Sequence, residues 1–132
     1  VSELCKIYTF PQVFQMISTI IAEVDADIHW TSIVDACFPM GSMTGAPKTK
    51  VMELISKFES SSRGLFSGTI GYVTPEGDFD FNVVIRSIFY NSMNHSLSYK
   101  AGGGITINSN PEYEFEESLL KVSAINALLS GV

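Results

Sequence analysis

The apolar positions divide the chain into segments of different period. Residues 3–10 read as extended. Pro11 suits the first turn of a helix, and Val13, Met16, Ile17, Ile20, Ile21 and Val24 recur at helical spacing behind it. A second helix is predicted over residues 30–38 and ends at Pro39. Residues 41–47 read as an irregular loop. Pro47 then opens a third helix with an apolar face of Val51, Met52, Leu54, Ile55 and Phe58.

The pattern changes after the polar stretch 60–63. Residues 64–73, 79–90 and 96–102 are rich in apolar and β-branched positions and read as three strands. Thr74-Pro75-Glu76-Gly77-Asp78 is a turn signal between the first two. Residues 91–95 are polar and turn-prone. The expectation is an antiparallel meander with both faces covered, since Val83-Val84-Ile85 is apolar without alternation. The last helix is predicted from a capping box, Ser109 with Glu112, and from Pro111 in the first turn. Leu119, Leu120, Val122, Ile125, Leu128 and Leu129 form its stripe. Helices, strands and a final helix in this order give an α+β class, a largely antiparallel sheet packed with helices.

Composition adds limits. At 132 residues the chain fits one domain, 1–132, and 45% apolar residues with nine Phe and five Tyr permit a sizeable core. The formal charge of −6, with no basic stripe, argues against nucleic acid as a partner. No apolar run reaches the roughly 18–20 residues that span a bilayer. The opening VSELCKIYTF has no signal-peptide character. Cys5 and Cys37 form no CxxC pair, so buried thiols in a reduced, cytoplasmic setting are expected. The start at Val1, inside an extended segment, gives the further expectation of a piece of a longer polypeptide.

Several segments carry candidate chemistry. Glu114 and Glu117 are three apart on one helix face, with Lys121 four further on. Two such carboxylates suit a hard cation such as Mg²⁺; the plain alternative is an acidic first turn that suits the helix dipole. Glu112 and Glu116 read as solvated face. Gly102, Gly103 and Gly104 follow a strand and leave the backbone N–H groups open to an anion, or else form a tight bend. Arg86 lies in the apolar run VVIRS, where a charge needs an anionic ligand or a carboxylate such as Asp80. Tyr72 ends the preceding strand beside it. GSMTGAPK, residues 41–48, offers the Ser42 and Thr44 hydroxyls, and its spacing is not that of a phosphate-binding P-loop. His29 and His95 have no spaced partner and are assigned no function.

Taken together, FPQVFQMISTI, FPMGSMTGAPKTKVMELI, SRGLFSGTIGYVTPEGDFDFNVVIRS and YKAGGGITINSNPEYEFEESLLKV resemble the chorismate-utilising enzymes. These include component I of aminodeoxychorismate synthase and of anthranilate synthase, with isochorismate and salicylate synthases more distant. The resemblance covers nearly the whole chain and matches the C-terminal portion of that anthranilate-synthase-like domain. The loop spelling GSxTGAPK is that of the aminobenzoate branch; the anthranilate branch more often shows GTxSGAPK.

The resemblance implies roles. Glu114 and Glu117 would serve Mg²⁺; Gly102, Gly103 and Gly104 would donate to a substrate carboxylate. Arg86 and Tyr72 would grip the enolpyruvyl carboxylate, Thr44 would supply a substrate-side hydroxyl, and Lys121 matches the family lysine of the helix. It implies chorismate as substrate and a glutamine amidotransferase subunit as ammonia source in aminobenzoate and folate synthesis. Two departures stand out. Gln15 occupies the place of a family His, and Gln does not exchange a proton near neutral pH. The PIKGT lysine nucleophile and a further metal carboxylate are absent from this sequence. The expectation is a chain inactive alone, with a piece of an anthranilate synthase component I (tryptophan synthesis) or a degenerate binding module as the alternatives. Unsatisfied strand edges would favour a homodimer.

Overall fold

A computed structural model describes residues 1–11 and 13–131. The chain divides into two compact units, Val1–Ile33 and Val34–Val132.

In the first unit, β1 (Glu3–Thr9) and β2 (Phe14–Thr19) form an antiparallel hairpin in which Ile7 faces Met16 and Tyr8 faces Gln15. The helix expected behind Pro11 is therefore a strand over residues 14–19. Apolar runs of this length fit either period, and the β-branched Ile17 and Thr19 tip the balance once β1 offers a partner. Pro11 serves the connection instead, which the Phe10 N–H closes on Val13 O at 2.9 Å. Glu3 accepts from Lys6, Tyr8 and Thr19, and the Lys6 hydrogen bond is the main cause holding its carboxyl below the ordinary value. Helix α1 (Trp30–Cys37) follows, and the second unit begins within it.

The second unit carries the remaining elements. Residues 41–47, expected as loop, contain a single helical turn, α2 (Gly41–Thr44), before α3 (Lys48–Phe58). Strands β3 (Thr69–Val73) and β4 (Phe79–Val83) pair antiparallel, with Tyr72 opposite Asp80. Their connection is closed by Thr74 N–H to Asp78 O and Gly77 N–H to Thr74 O. Gly71 meets β4 so closely that an added Cβ would fall 2.0 Å from Asp80 O. Strands β5 (Ile88–Asn91) and β6 (Ser96–Tyr99) form a second hairpin, and α4 (Pro111–Leu129) ends the described fold.

Small antiparallel sheets with helices make the class α+β. The expected three-stranded meander is instead two separate hairpins. Its middle strand breaks at residues 84–87, where Ile85 N–H turns back to Val83 O at 3.0 Å and Ser87 Oγ donates to Ile85 O at 2.9 Å. That tight turn ends the ladder before β5 can join it.

The sizeable core is not formed among the described residues. Val122 on α4 is the buried apolar side chain and Ser67 the buried polar one. Two-stranded hairpins cannot shield both of their faces, so Ile70 on β3 stays exposed; Ile85, and Leu119, Leu120 and Leu128 of α4, are exposed as well. Both thiols are free and exposed, which corrects the expectation that they are buried. Among the described residues no helix is long and apolar enough to cross a membrane.

Candidate functional site

The site is built from the start of α4. The helix is capped one residue later than the capping-box reading, by Asn110, whose side chain accepts the Tyr113 N–H at 3.1 Å; Pro111 fills the first turn. Ser109 is thereby released for another task. Its hydroxyl accepts the Thr106 N–H at 3.0 Å and donates to Glu114 Oε1 at 2.6 Å. Helical spacing then places Glu114, Glu117 and Lys121 along one face, while Glu112 and Glu116 remain exposed.

This face meets the glycine segment after β6. An added Cβ on Gly103 would lie 3.0 Å from Glu114 Oε2, 3.8 Å from Glu117 Oε2 and 3.9 Å from Lys121 Nζ. The three side chains thus converge on one backbone position, where an added Cβ would fit only if Glu114 gave way. Lys121 Nζ donates to Gly102 O at 3.2 Å and pairs with Glu117 Oε1 at 2.8 Å. The N–H groups of Gly102, Gly103 and Gly104 have no backbone acceptor among the described residues. Of the three, Gly103 lies beside the carboxylates.

The electrostatics follow from this packing. The Lys121 hydrogen bond first, and then its charge, hold the Glu117 carboxyl below the ordinary carboxylate value. Glu114 Oε2 is shielded from water and accepts no hydrogen bond. A shielded carboxylate oxygen without a donor is costly, and a cation relieves it. Two oxygen donors side by side fit the preference of Mg²⁺, which takes one or two carboxylates and fills its remaining positions with water or substrate oxygens. No group of three or more His, Cys, Asp or Glu gathers for a metal among the described residues.

Thr44, Tyr72 and Arg86 stand apart from this cluster and make no hydrogen bond or ion pair with it. Thr44 ends α2 and donates its hydroxyl to Met40 O at 3.0 Å. Tyr72 lies on β3 and is 63% exposed, so it is not a core residue. Arg86 is not inside a strand. It occupies the break between β4 and β5 at φ 50°, exposed and without a side-chain partner among the described residues. The turn that ends the ladder also removes the burial that would have forced Arg86 to find a counter-ion; Asp80 lies instead in the β3–β4 ladder, opposite Tyr72. Gln15 sits on β2 in the first unit.

Two contacts are not evident from the sequence pattern. Ser109 reads as a cap, although it stands five residues before Glu114. Arg63 reads as part of the polar stretch 60–63, although Glu59 stands four residues before it at the end of α3.

The chain matches the family of chorismate binding enzymes over residues 1–127, and it belongs to that family. It is 44% identical over 124 residues to a chloroplastic aminodeoxychorismate synthase of Arabidopsis thaliana, covering 94% of this chain and 13% of that protein. Against aminodeoxychorismate synthase component 1 of Escherichia coli strain K12 the identity is 38% over 125 residues, 95% of this chain and 27% of the relative. Anthranilate synthase component 1 of Mycolicibacterium smegmatis is 36% identical over 133 residues, 99% of this chain and 25% of the relative. The chain therefore spans between 13% and 27% of the length of these relatives.

Proposed function

We propose that this chain supplies the metal and carboxylate side of a chorismate site in an aminodeoxychorismate synthase. The observation that carries this reading is the convergence of Glu114, Glu117 and Lys121 on Gly103. A dicarboxylate substrate needs paired cationic and N–H donors, and the second unit has both kinds. Glu114 and Glu117 would hold Mg²⁺, which supplies positive charge to a substrate carboxylate. The amides of Gly102, Gly103 and Gly104 would donate to the same group. Arg86, without a side-chain partner among the described residues, and the exposed Tyr72 hydroxyl would hold the enolpyruvyl carboxylate, for which the guanidinium fork is suited. Thr44 would face substrate, and Lys121 would orient Glu117.

The reaction of the parent enzyme would replace the C4 hydroxyl of chorismate. The C4–O bond breaks, a C4–N bond forms with ammonia, and the hydroxyl leaves as water. Ammonia would come from a glutamine amidotransferase partner, in the route to aminobenzoate and folate. This chain carries neither the PIKGT lysine nor a third metal carboxylate, and Gln15 does not shuttle protons. Alone it would bind and orient without turning over. Exposed free thiols fit a reducing compartment such as the cytoplasm. Exposed apolar strand faces would favour a homodimer.

Calorimetric titration with chorismate, with and without Mg²⁺, tests the binding half of this reading. Mg²⁺-dependent binding is the expected result. Binding that ignores Mg²⁺, or none after a PIKGT-containing segment is added in trans, would leave a degenerate module instead. The anthranilate branch is the second reading, supported by the 36% identity to an anthranilate synthase component 1. The reconstituted product separates the two: 4-amino-4-deoxychorismate for one, 2-aminobenzoate for the other.

A further inference from the structure

Arg63 lies outside the chorismate-facing residues, yet it makes more side-chain hydrogen bonds than any of them. Its Nε donates to both oxygens of Glu59, at 3.0 and 2.9 Å, and Nη2 donates to Glu59 Oε1. From its other edge Nη1 donates to Met43 O at 2.7 Å and to Ser67 Oγ at 3.1 Å. The Arg63 side chain is only 25% exposed. Each acceptor belongs to a different segment. Glu59 caps the end of α3. Met43 belongs to α2, next to Thr44. Ser67 stands at the root of the β3–β4 hairpin, buried, with its N–H on Val84 O at 3.0 Å.

A helix of one turn leaves its last carbonyls without helical partners, and Arg63 takes that of Met43. Beside the turn, a half-open apolar pocket of about 280 Å³ is lined by Met43 and Thr44, by Met52 and Ile55 of α3, and by Arg63 and Ser67. The packing of α2 on α3 is incomplete at this edge, and the Arg63 guanidinium supplies a polar contact there. Lysine could not replace this contact. One ammonium cannot present two donors to a carboxylate and a further pair to Met43 and Ser67.

We propose that Arg63 is a positioning residue, whose guanidinium sets the Thr44 turn against the root of the β3–β4 hairpin and thereby orders the substrate side of the site. The proposal deepens the function given above and rests on its reading of Thr44.

The test uses this chain with Arg63→Ala, Arg63→Lys and Glu59→Gln. Hydrogen exchange is read at the Met43 and Thr44 amides, both of which bond Met40 O in the native turn, and at α4 as an internal control. In Arg63→Ala the two turn amides exchange at least about 10-fold faster while α4 keeps its protection. Arg63→Lys behaves like Ala, and millimolar methylguanidinium restores slow exchange to Arg63→Ala. Chorismate affinity falls about 10-fold in parallel. Unchanged turn exchange in Arg63→Ala, or native turn exchange and chorismate affinity in Arg63→Lys, overturns the proposal. If Arg63→Ala does not fold, Glu59→Gln, which keeps the guanidinium but loosens its anchor, decides through the same two amides. If the native chain has no chorismate affinity even with a PIKGT-containing segment added in trans, the functional reading fails and the exchange arm still judges Arg63.

Discussion

Lys121 and Glu117 form an ion pair at 2.8 Å across one turn of α4, and the same ammonium holds Gly102 O at 3.2 Å. The pair couples the helix to the glycine segment. It also places a protein cation on a carboxylate proposed to receive Mg²⁺. On that proposal the two cations would compete for Glu117. Lys121→Met should therefore bind Mg²⁺ more tightly by a few-fold, whereas Glu117→Gln should weaken it at least about 10-fold. Calorimetric Mg²⁺ titration of both variants checks this, and an unchanged affinity in Glu117→Gln would sink the metal assignment.

Gly103 is required by contact, since a Cβ there would press on Glu114 Oε2 at 3.0 Å. The obstacle is the end of a flexible side chain, so Gly103→Ala should fold normally. Glu114 would give way, however, and lose its place against Ser109. The expected outcome is weaker Mg²⁺ binding with an unfolding midpoint within a few degrees of native. A large loss of stability with intact metal binding would contradict it.

Arg86 is exposed and has no side-chain partner among the described residues, so its removal should cost little stability. If it grips a substrate carboxylate, Arg86→Ala should lose about 1.5–3 kcal/mol of chorismate affinity, the worth of hydrogen bonds to a charged group. Tyr72→Phe should lose less. Calorimetry on the Mg²⁺-loaded chain separates this from a purely structural Arg86, for which affinity would not change.

The Arg63 hydrogen bonds hold the Glu59 carboxyl below its ordinary value of 4.5. A depressed carboxylate contributes stability above its unfolded value and loses it as pH falls through the folded one. The Arg63–Glu59 contact should therefore survive acidification past 4.5 and open only below that. A carbon-detected titration of Glu59 reads this directly. In Arg63→Ala its midpoint should move up toward the ordinary value.

Asn110 caps α4 through the Tyr113 N–H. Asn110→Ala should cost about 1 kcal/mol, and Asn110→Ser or Asp should restore most of it. Urea unfolding followed by circular dichroism measures the difference. If Ser109 were the cap instead, Asn110→Ala would be silent.

Ile70, Leu120 and Leu128 lie exposed in the second unit, and Ile7 and Ile20 in the first. Self-association of this chain, as a symmetric dimer, should rise with concentration and persist at high salt, because apolar contact is not screened. Light scattering across a concentration series checks it; a monomer throughout would count against the homodimer.

The sequence by itself determined the elements whose cause is local. Periodicity and proline placement gave the helices at residues 30–37, 48–58 and 111–129 to within a residue or two, and Thr74-Pro75-Glu76-Gly77-Asp78 gave the β3–β4 turn. Residue type and spacing also brought Glu114, Glu117 and Lys121 to one face, because a helix repeats every 3.6 residues whatever surrounds it. Only the tertiary structure decided the rest. Residues 14–19 are a strand because β1 pairs with them, and no reading of their own spacing contains β1. Arg86 is exposed because the chain turns at Ile85, an event of a few torsion angles in an otherwise apolar run. Gly103 belongs to the candidate site because Glu114 Oε2 of α4 lies within 3.0 Å of where its Cβ would be, and Arg63 reaches Met43, 20 residues away, as well as its neighbours Glu59 and Ser67. These are contacts between elements, set by how the chain packs, and they are not written in any single stretch of it.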